Sequence, residues 1–385
     1  MQPLLPNHRS PIIDALRGWA LLGVTMGNYA FFYYLNLEPN ETKDTLASVL
    51  ENVMHYFFWA KSWTLLSILF GYGFSGLMTN IARTTDKPAI FFLKRMTWLL
   101  AFAFVNAFFF VGDILHDYAL LGVILILFSH LEVKTIFRIS LVLLLFLPFV
   151  SAYIHSLNIS YVSEANKLIP LFYSDHWLDI FQYNLTYSFF TLIIEPSYFV
   201  TVHLVMFLCM LLGMSAHRTD FFQRIEMDRI LIKRIFWISF PLAIGLYALL
   251  LFIDEQVAIF NYFRFGYWAI LSATVAISSG ICWLRISGQL KTLFRYLGYM
   301  GRMTLTHYIT HCFLSALLFS GVGLSISNMP YWFYLIVAIS IYTIQLFLSK
   351  WWLTNFQHGP AEWLWRKLTY GNLRKKEPVD LDISN

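Results

Sequence analysis

Ten apolar stretches, parted by short polar connections, run along the chain near residues 12–35, 57–80, 91–111, 117–131, 135–155, 192–215, 234–253, 262–284, 299–320 and 331–350. A helix needs about 20 apolar residues to cross a hydrocarbon layer about 30 Å thick, and most stretches reach that length. The pattern predicts an all-α, polytopic helical membrane protein with about ten spans. The stretch at 117–131 is short, so the turn before it should lie below the membrane surface or line a cavity. Two parts follow: a transmembrane bundle over 1–350, with a long outer connection at 156–191, and a C-terminal segment over 351–385. Half of that connection, SDHWLDIFQYNLTYSFF, is amphipathic and suits a helix lying on the outer surface or capping a cavity.

Charge gives the spans a direction. Of the 27 Lys and Arg, only Lys43, Lys167 and Arg264 fall in connections on one side, and Arg17 and Lys61 lie within spans. All others, from Arg9 to the Arg374-Lys375-Lys376 run, fall on the opposite side, which predicts cytoplasmic N- and C-termini. The tail after Arg374 is charged and should be mobile. No inverted internal repeat of the transporter kind is visible.

Composition removes the competing classes. With 58% hydrophobic and 13% charged residues, there is too little polar surface to coat a soluble globule. The net charge of +5 is explained by membrane orientation rather than nucleic-acid binding. Cys209, Cys282 and Cys312 all sit in apolar stretches, without disulfide or zinc spacing, and read as buried small hydrophobes. No metal is expected. The first stretch carries Asp14 and Arg17 and lacks a small-residue cleavage site, so it reads as a span rather than a signal peptide.

Ionisable groups inside spans are costly, and they form the candidate list. Asp14 and Arg17, three residues apart, share a helical face; they form an anchoring ion pair, or Arg17 holds a phosphate or carboxylate. Lys61 lies near the outer end of span 2, where snorkelling to the interface is the plain alternative. Gly71, Gly73 and Gly76 let helices approach closely or let backbone face a slender ligand. The FFFVGDILHDYALLG turn gathers Asp113, His116 and Asp117 at the outer end, where Lys61 is expected beside them; a carboxylate next to an imidazole is the raw material of a general base. Asp is also a favoured helix cap, but a cap needs one such residue. Glu195-Pro196 opens span 6, with His203 about two turns further in. In span 9, Arg302 lies near the basic end, while His307 and His311 share a face one turn apart. These two could be partners of substrate or proton, or simply histidines satisfied within the bundle.

Six motifs in order carry a family likeness: DALRG, KSWTLLSILFGYGF, GDIL-x-x-YALLG, LCMLLGM, GRMTLTHY and GPAEWLWRKLTY. Together they resemble the YeiB-like family of bacterial multi-pass membrane proteins, a domain of unknown function. That family places Gly359, Pro360, Glu362, Trp363, Trp365 and Arg366 in a segment after the last span. It is similar in turn to the transmembrane acyltransferase superfamily, which includes acyltransferase-3 proteins and the lysosomal heparan glucosaminide acetyltransferase. Those relatives share the Arg-Gly seen here at Arg17-Gly18 and carry an acyl group from cytoplasmic coenzyme A to an acceptor across the membrane. His55 sits in a region comparable to the catalytic histidine of the lysosomal enzyme. Where the YeiB-like pattern commonly reads GRMALTN-x-x-x-Q, this chain has His307 and His311, which favours ligand contact or packing over obligatory acid-base work.

The resemblance implies a protein of the bacterial inner membrane that moves an acyl group, acetyl by analogy, from acyl-coenzyme A to an envelope glycan or lipid-linked acceptor, among membrane lipids. Arg17, Arg95 and Arg302, with Asp14, would attract the phosphates, and Gly71 and Gly73 would admit the pantetheine arm. Asp113 with His116, near Lys61, would deprotonate the acceptor, and His203, His307, His311 and Glu195 would contact substrate. A transporter or flippase of a small anionic or lipid-linked metabolite is the alternative.

Overall fold

The computed structural model describes residues 10–35, 44–252 and 258–371, and all regular structure among them is helical. Arg9, Lys43, the Arg374-Lys375-Lys376 run and the tail after it lie outside the described residues. The helices are α1 (Pro11–Leu35), α2 (Thr45–Val53), α3 (Lys61–Ala82), α4 (Pro88–Asn106), α5 (Ile114–Phe128), α6 (Val133–Ser156), α7 (Val162–Asn166), α8 (Ile169–Phe172) and α9 (Trp177–Ser188). They continue as α10 (His203–Arg218), α11 (Phe221–Met227), α12 (Arg229–Phe252), α13 (Gly266–Ile286), α14 (Lys291–Arg302), α15 (Thr304–Phe319), α16 (Tyr331–Asn355) and α17 (Pro360–Tyr370). Among the described residues seven helices are long and apolar enough to cross a membrane: Thr45–Ala82, α4, α6, Ser197–Arg218, α12, α13 and α16. The protein is a multi-pass helical membrane protein.

Local chemistry places the boundaries. Pro88 and Pro360 open α4 and α17 at a first-turn position where a missing N–H costs nothing. Asp113 starts α5 as its N-cap, accepting from the Leu115 N–H at 3.1 Å. Pro148 sits inside α6 and cannot donate to the Leu144 carbonyl; the Trp268 indole of α13 donates there instead, at 2.8 Å.

Backbone contact, not side-chain interlocking, joins the central helices. A Cβ on Gly71 would collide with the Met210 carbonyl, and one on Gly213 with that of Ile68, so α3 and α10 cross at backbone distance. The same device joins α1 to α14, where Gly18 lies on the Leu297 carbonyl and Gly301 on that of Asp14.

Three places differ from the sequence pattern. The stretch at 299–320 is two helices: α14 ends at Arg302, the chain breaks at Met303, and only α15 runs on through the apolar residues. The last span continues past residue 350 to Asn355, and α17 then folds back against the bundle. The 156–191 connection is folded into α7, α8 and α9, and buries Phe172, Ile180 and Tyr183 over the end of the bundle remote from the arginines. Phe172 stacks on Phe32, and its carbonyl accepts from the Gly321 N–H at 3.0 Å. All three cysteines are free and buried.

Candidate functional site

A cavity of about 1110 Å³ opens at the arginine-rich end, between α1, α3, α4, α15 and α17. That exceeds the usual small-molecule pocket of about 300–1,000 Å³. Five arginines line it: Arg83 at the end of α3, Arg17 further in, and Arg95, Arg302 and Arg366. Arg17 lies 3.7 Å from Asp14 and donates to the Leu69 carbonyl at 3.5 Å. Gly73 leaves it room, since a Cβ there would sit 3.3 Å from the guanidinium. Arg302 donates to the Gln357 carbonyl at 3.3 Å. Below the mouth the walls are apolar, with Leu66, Phe70, Phe74, Leu77, Met96 and Leu99, and the floor is Ile114, Leu115, Tyr118 and Tyr308. From Arg83 to Leu66 along α3 the cavity extends about 25 Å, at 1.5 Å per residue.

One wall is the C-terminal helix. Glu362 reaches the start of α15, where its carboxylate accepts from the N–H groups of Leu305 at 2.7 Å and Thr306 at 3.1 Å and from the Thr306 hydroxyl at 2.5 Å. A carboxylate at a helix N-terminus meets unpaired donors and the positive end of the dipole. Burial nevertheless holds the Glu362 carboxyl above its ordinary range, against the pull of these donors. Trp365 covers the Arg95 guanidinium at 3.6 Å from the ring centre, and its indole donates to the Arg95 carbonyl at 3.0 Å.

Beneath the floor lies a polar nest. The Tyr308 hydroxyl donates to Asp113 Oδ1 at 2.8 Å and accepts from the Ile114 N–H at 3.2 Å. The Asn106 amide adds a third donor to that oxygen at 3.3 Å, while the buried Asp113 Oδ2 has no hydrogen-bond partner among the described residues. One turn on, Asp117 is fully buried. Its Oδ1 lies 2.8 Å from Nε2 of both His116 and His203, and its Oδ2 accepts from the Tyr198 hydroxyl at 2.8 Å. The Nδ1 of His203 faces the Phe199 carbonyl at 2.8 Å, and a carbonyl can only accept. The nest is covered on its far side by the folded connection, with the Gly112 N–H donating to Ser188 Oγ at 3.2 Å.

The remaining candidates lie apart. Lys61 is buried and donates to the His55 carbonyl, with its ammonium 4.9 Å from the Tyr247 ring centre; its partners are the segment between α2 and α3 and a ring of α12, not the Asp113 turn. Gly71 is a helix-crossing residue outside the cavity lining. Glu195 ties the connection down, accepting from the Tyr161 N–H at 2.8 Å and the Ser197 hydroxyl at 2.9 Å. His307 and His311 do not line the cavity. The Ser349 hydroxyl donates to the Gln345 carbonyl, so His307 Nε2, 2.5 Å away, donates to Ser349. The Thr25 hydroxyl donates to the Leu21 carbonyl, so His311 Nδ1 donates to Thr25 at 3.5 Å and its Nε2 receives the Asn28 amide at 3.2 Å. Each histidine thus bridges helices, His307 joining α15 to α16 and His311 joining α15 to α1.

Residues 216–372, from the end of α10 through α17, match the family described as "Protein of unknown function (DUF418)". Over 96% of both chains, the protein is 27% identical to the uncharacterized protein YxaH of Bacillus subtilis. It is 25% identical, over 98% of this chain and 99% of the relative, to an uncharacterized 39.9 kDa protein from the amylase 3′ region of Bacillus acidopullulyticus. A shorter likeness, 36% over 18% of each chain, joins it to the uncharacterized protein YeiB of Escherichia coli. No solved structure matches. With the motif order and the helical bundle, these likenesses make the chain similar to the YeiB-like membrane proteins of unknown function, the family likeness resting on residues 216–372 and on relatives of 25–27% identity over nearly the whole chain.

Proposed function

We propose that the protein is a transmembrane acyltransferase that receives acyl-coenzyme A from the cytoplasm and acylates an envelope glycan or lipid-linked acceptor. On this reading α1, α5 and α15 complete ten spans, both termini face the cytoplasm, and the membrane is the bacterial inner membrane. One observation carries it: a single cavity is lined by five arginines, by apolar walls and by a tyrosine hydroxyl bonded to a buried carboxylate. Arginine forks suit a nucleotide's phosphates, and a narrow apolar throat suits a pantetheine arm and its thioester. The acceptor's oxygen or nitrogen attacks the thioester carbonyl, a C–O or C–N bond forms and the C–S bond breaks. Asp113 takes the acceptor's proton, and Tyr308 passes a proton on to the departing thiolate. Calorimetry of the purified protein with acetyl-coenzyme A tests the donor side. Binding should weaken at least about tenfold in Arg17→Ala or Arg95→Ala, as for loss of a charge-assisted contact. Absence of binding at millimolar ligand rules the reading out.

A transporter is the second reading, favoured by the Asp117, His116 and His203 set. Buried clusters of ionisable groups in close contact mark proton and ion routes in membrane proteins. Reconstituted protein that moves a small anion, with no covalent product, would decide for it.

A further inference from the structure

A second cavity, of about 790 Å³, lies beside the first at the same end of the bundle. The backbone crossing of α1 and α14 separates the two, and Asp14 and Arg302 line both. Three helix ends supply its other cations: Arg229 opens α12, Arg285 closes α13, and Lys291 and Arg295 lie on α14. Against these stand two carboxylates, Asp14 and Glu226. Glu226 accepts from the Ser10 hydroxyl at 3.3 Å, and none of Arg229, Arg285, Lys291 and Arg295 is ion-paired with a carboxylate among the described residues. The excess positive charge is thus gathered around a space rather than spread along a surface.

The rim gives the ligand a second property. Met227, Ile230, Leu290 and Leu293 are exposed beside these cations. α14 buries Phe294, Leu297 and Met300 inward, so it lies along the bundle's end as an amphipathic helix. Apolar side chains next to a cationic hollow at a membrane surface suit a molecule that is anionic at one end and apolar at the other. We propose that this cavity binds the phosphate-bearing headgroup of an anionic membrane lipid, its acyl chains lying against Ile230, Leu290 and Leu293. Basic pockets between spans hold such headgroups by clustered point charge and guanidinium forks.

The full-length protein, purified in detergent, is incubated with phosphatidylglycerol or phosphatidylcholine, and bound lipid is counted by native mass spectrometry. Phosphatidylglycerol should be retained in preference to phosphatidylcholine, and Arg285→Gln/Arg295→Gln should weaken its retention about thirtyfold, two surface cations' worth of attraction. Lys134→Gln/Arg138→Gln, which removes two exposed cations elsewhere at this end, should leave retention unchanged, as should the thermal midpoint of each lipid-free variant. On wild-type protein, glycerol phosphate should displace the lipid at lower concentration than inorganic phosphate does. Equal retention of the two lipids, or equal loss in both double variants, overturns the proposal. Inorganic phosphate binding with no lipid preference makes this a free-phosphate site and also overturns it.

Discussion

Asp113 has a structural task, and in the proposed acyl transfer a chemical one as well; a single substitution separates them. Its Oδ1 takes three donors and begins α5, while Oδ2 has none among the described residues. Asp113→Asn keeps an oxygen to accept from Tyr308 and Leu115 and removes the charge. Its thermal midpoint should stay close to that of the native protein, while transfer falls about 10²–10⁴-fold, as for loss of a general base. Asp113→Ala strands the Tyr308 hydroxyl and the Asn106 amide, and should destabilise by about 1–3 kcal/mol for each buried group left unpaired. A variant Asp113→Asn with full transfer activity would remove the residue from the chemistry. The acidic turn was legible because three ionisable groups in an apolar region are costly without a purpose. What gathers around it was not: Tyr198 and His203 are 81 and 86 residues from Asp117. Tyr308 is one of 22 tyrosines, so composition gives it no distinction. The histidines of span 9 show the converse, since i,i+4 spacing puts two rings on one face but cannot say which neighbouring helix satisfies each.

At the scale of the element, glycine decides how close two helices come, and spacing alone cannot tell a crossing glycine from a cavity glycine. Gly71 and Gly73 are two residues apart on α3, so they point to different neighbours: one meets the Met210 backbone, the other faces Arg17. Gly71→Val and Gly213→Val should each part α3 from α10, lowering the thermal midpoint of the detergent-solubilised protein and costing about 1–3 kcal/mol or more, the scale of overpacking. Gly27, in α1, meets nothing within 4 Å, and Gly27→Ala should stabilise by up to about 1 kcal/mol through helix propensity. If Gly71→Val and Gly27→Ala behave alike, the backbone crossing is wrong. Hydrophobic stretches located the helices because each apolar run needs only one dimension. They missed the break at Met303 because α14 ends and α15 begins within a continuous motif, GRMTLTHY, whose interruption is a tertiary event. The folded connection was visible only as an amphipathic stretch, since its burial depends on Phe32 and the α15–α16 turn.

For the molecule as a whole, the C-terminal helix closes the basic cavity, and its attachment follows pH with a definite sign. Glu362 is held above its unfolded value of 4.5 by burial. A carboxyl raised in this way stabilises the docked helix fully below the unfolded pKa, and that contribution is lost as pH rises through the folded value. Hydrogen exchange at residues 360–370, corrected for the intrinsic pH dependence of exchange, should therefore be slower at pH 4 than at pH 8. Glu362→Gln cannot titrate and should flatten that difference while retaining an oxygen for the Leu305 and Thr306 donors. Glu362→Ala leaves those donors unpaired and should expose α17 at both pH values. Because α17 also brings Trp365 over Arg95 and places Arg366 at the mouth, Glu362→Ala should weaken acyl-coenzyme A binding although Glu362 carries the same sign of charge as the ligand. A charge argument alone requires the reverse, tighter binding of an anion once a carboxylate is removed. Measured affinity in Glu362→Ala thus separates a helix that builds the mouth from a carboxylate that merely sits beside it.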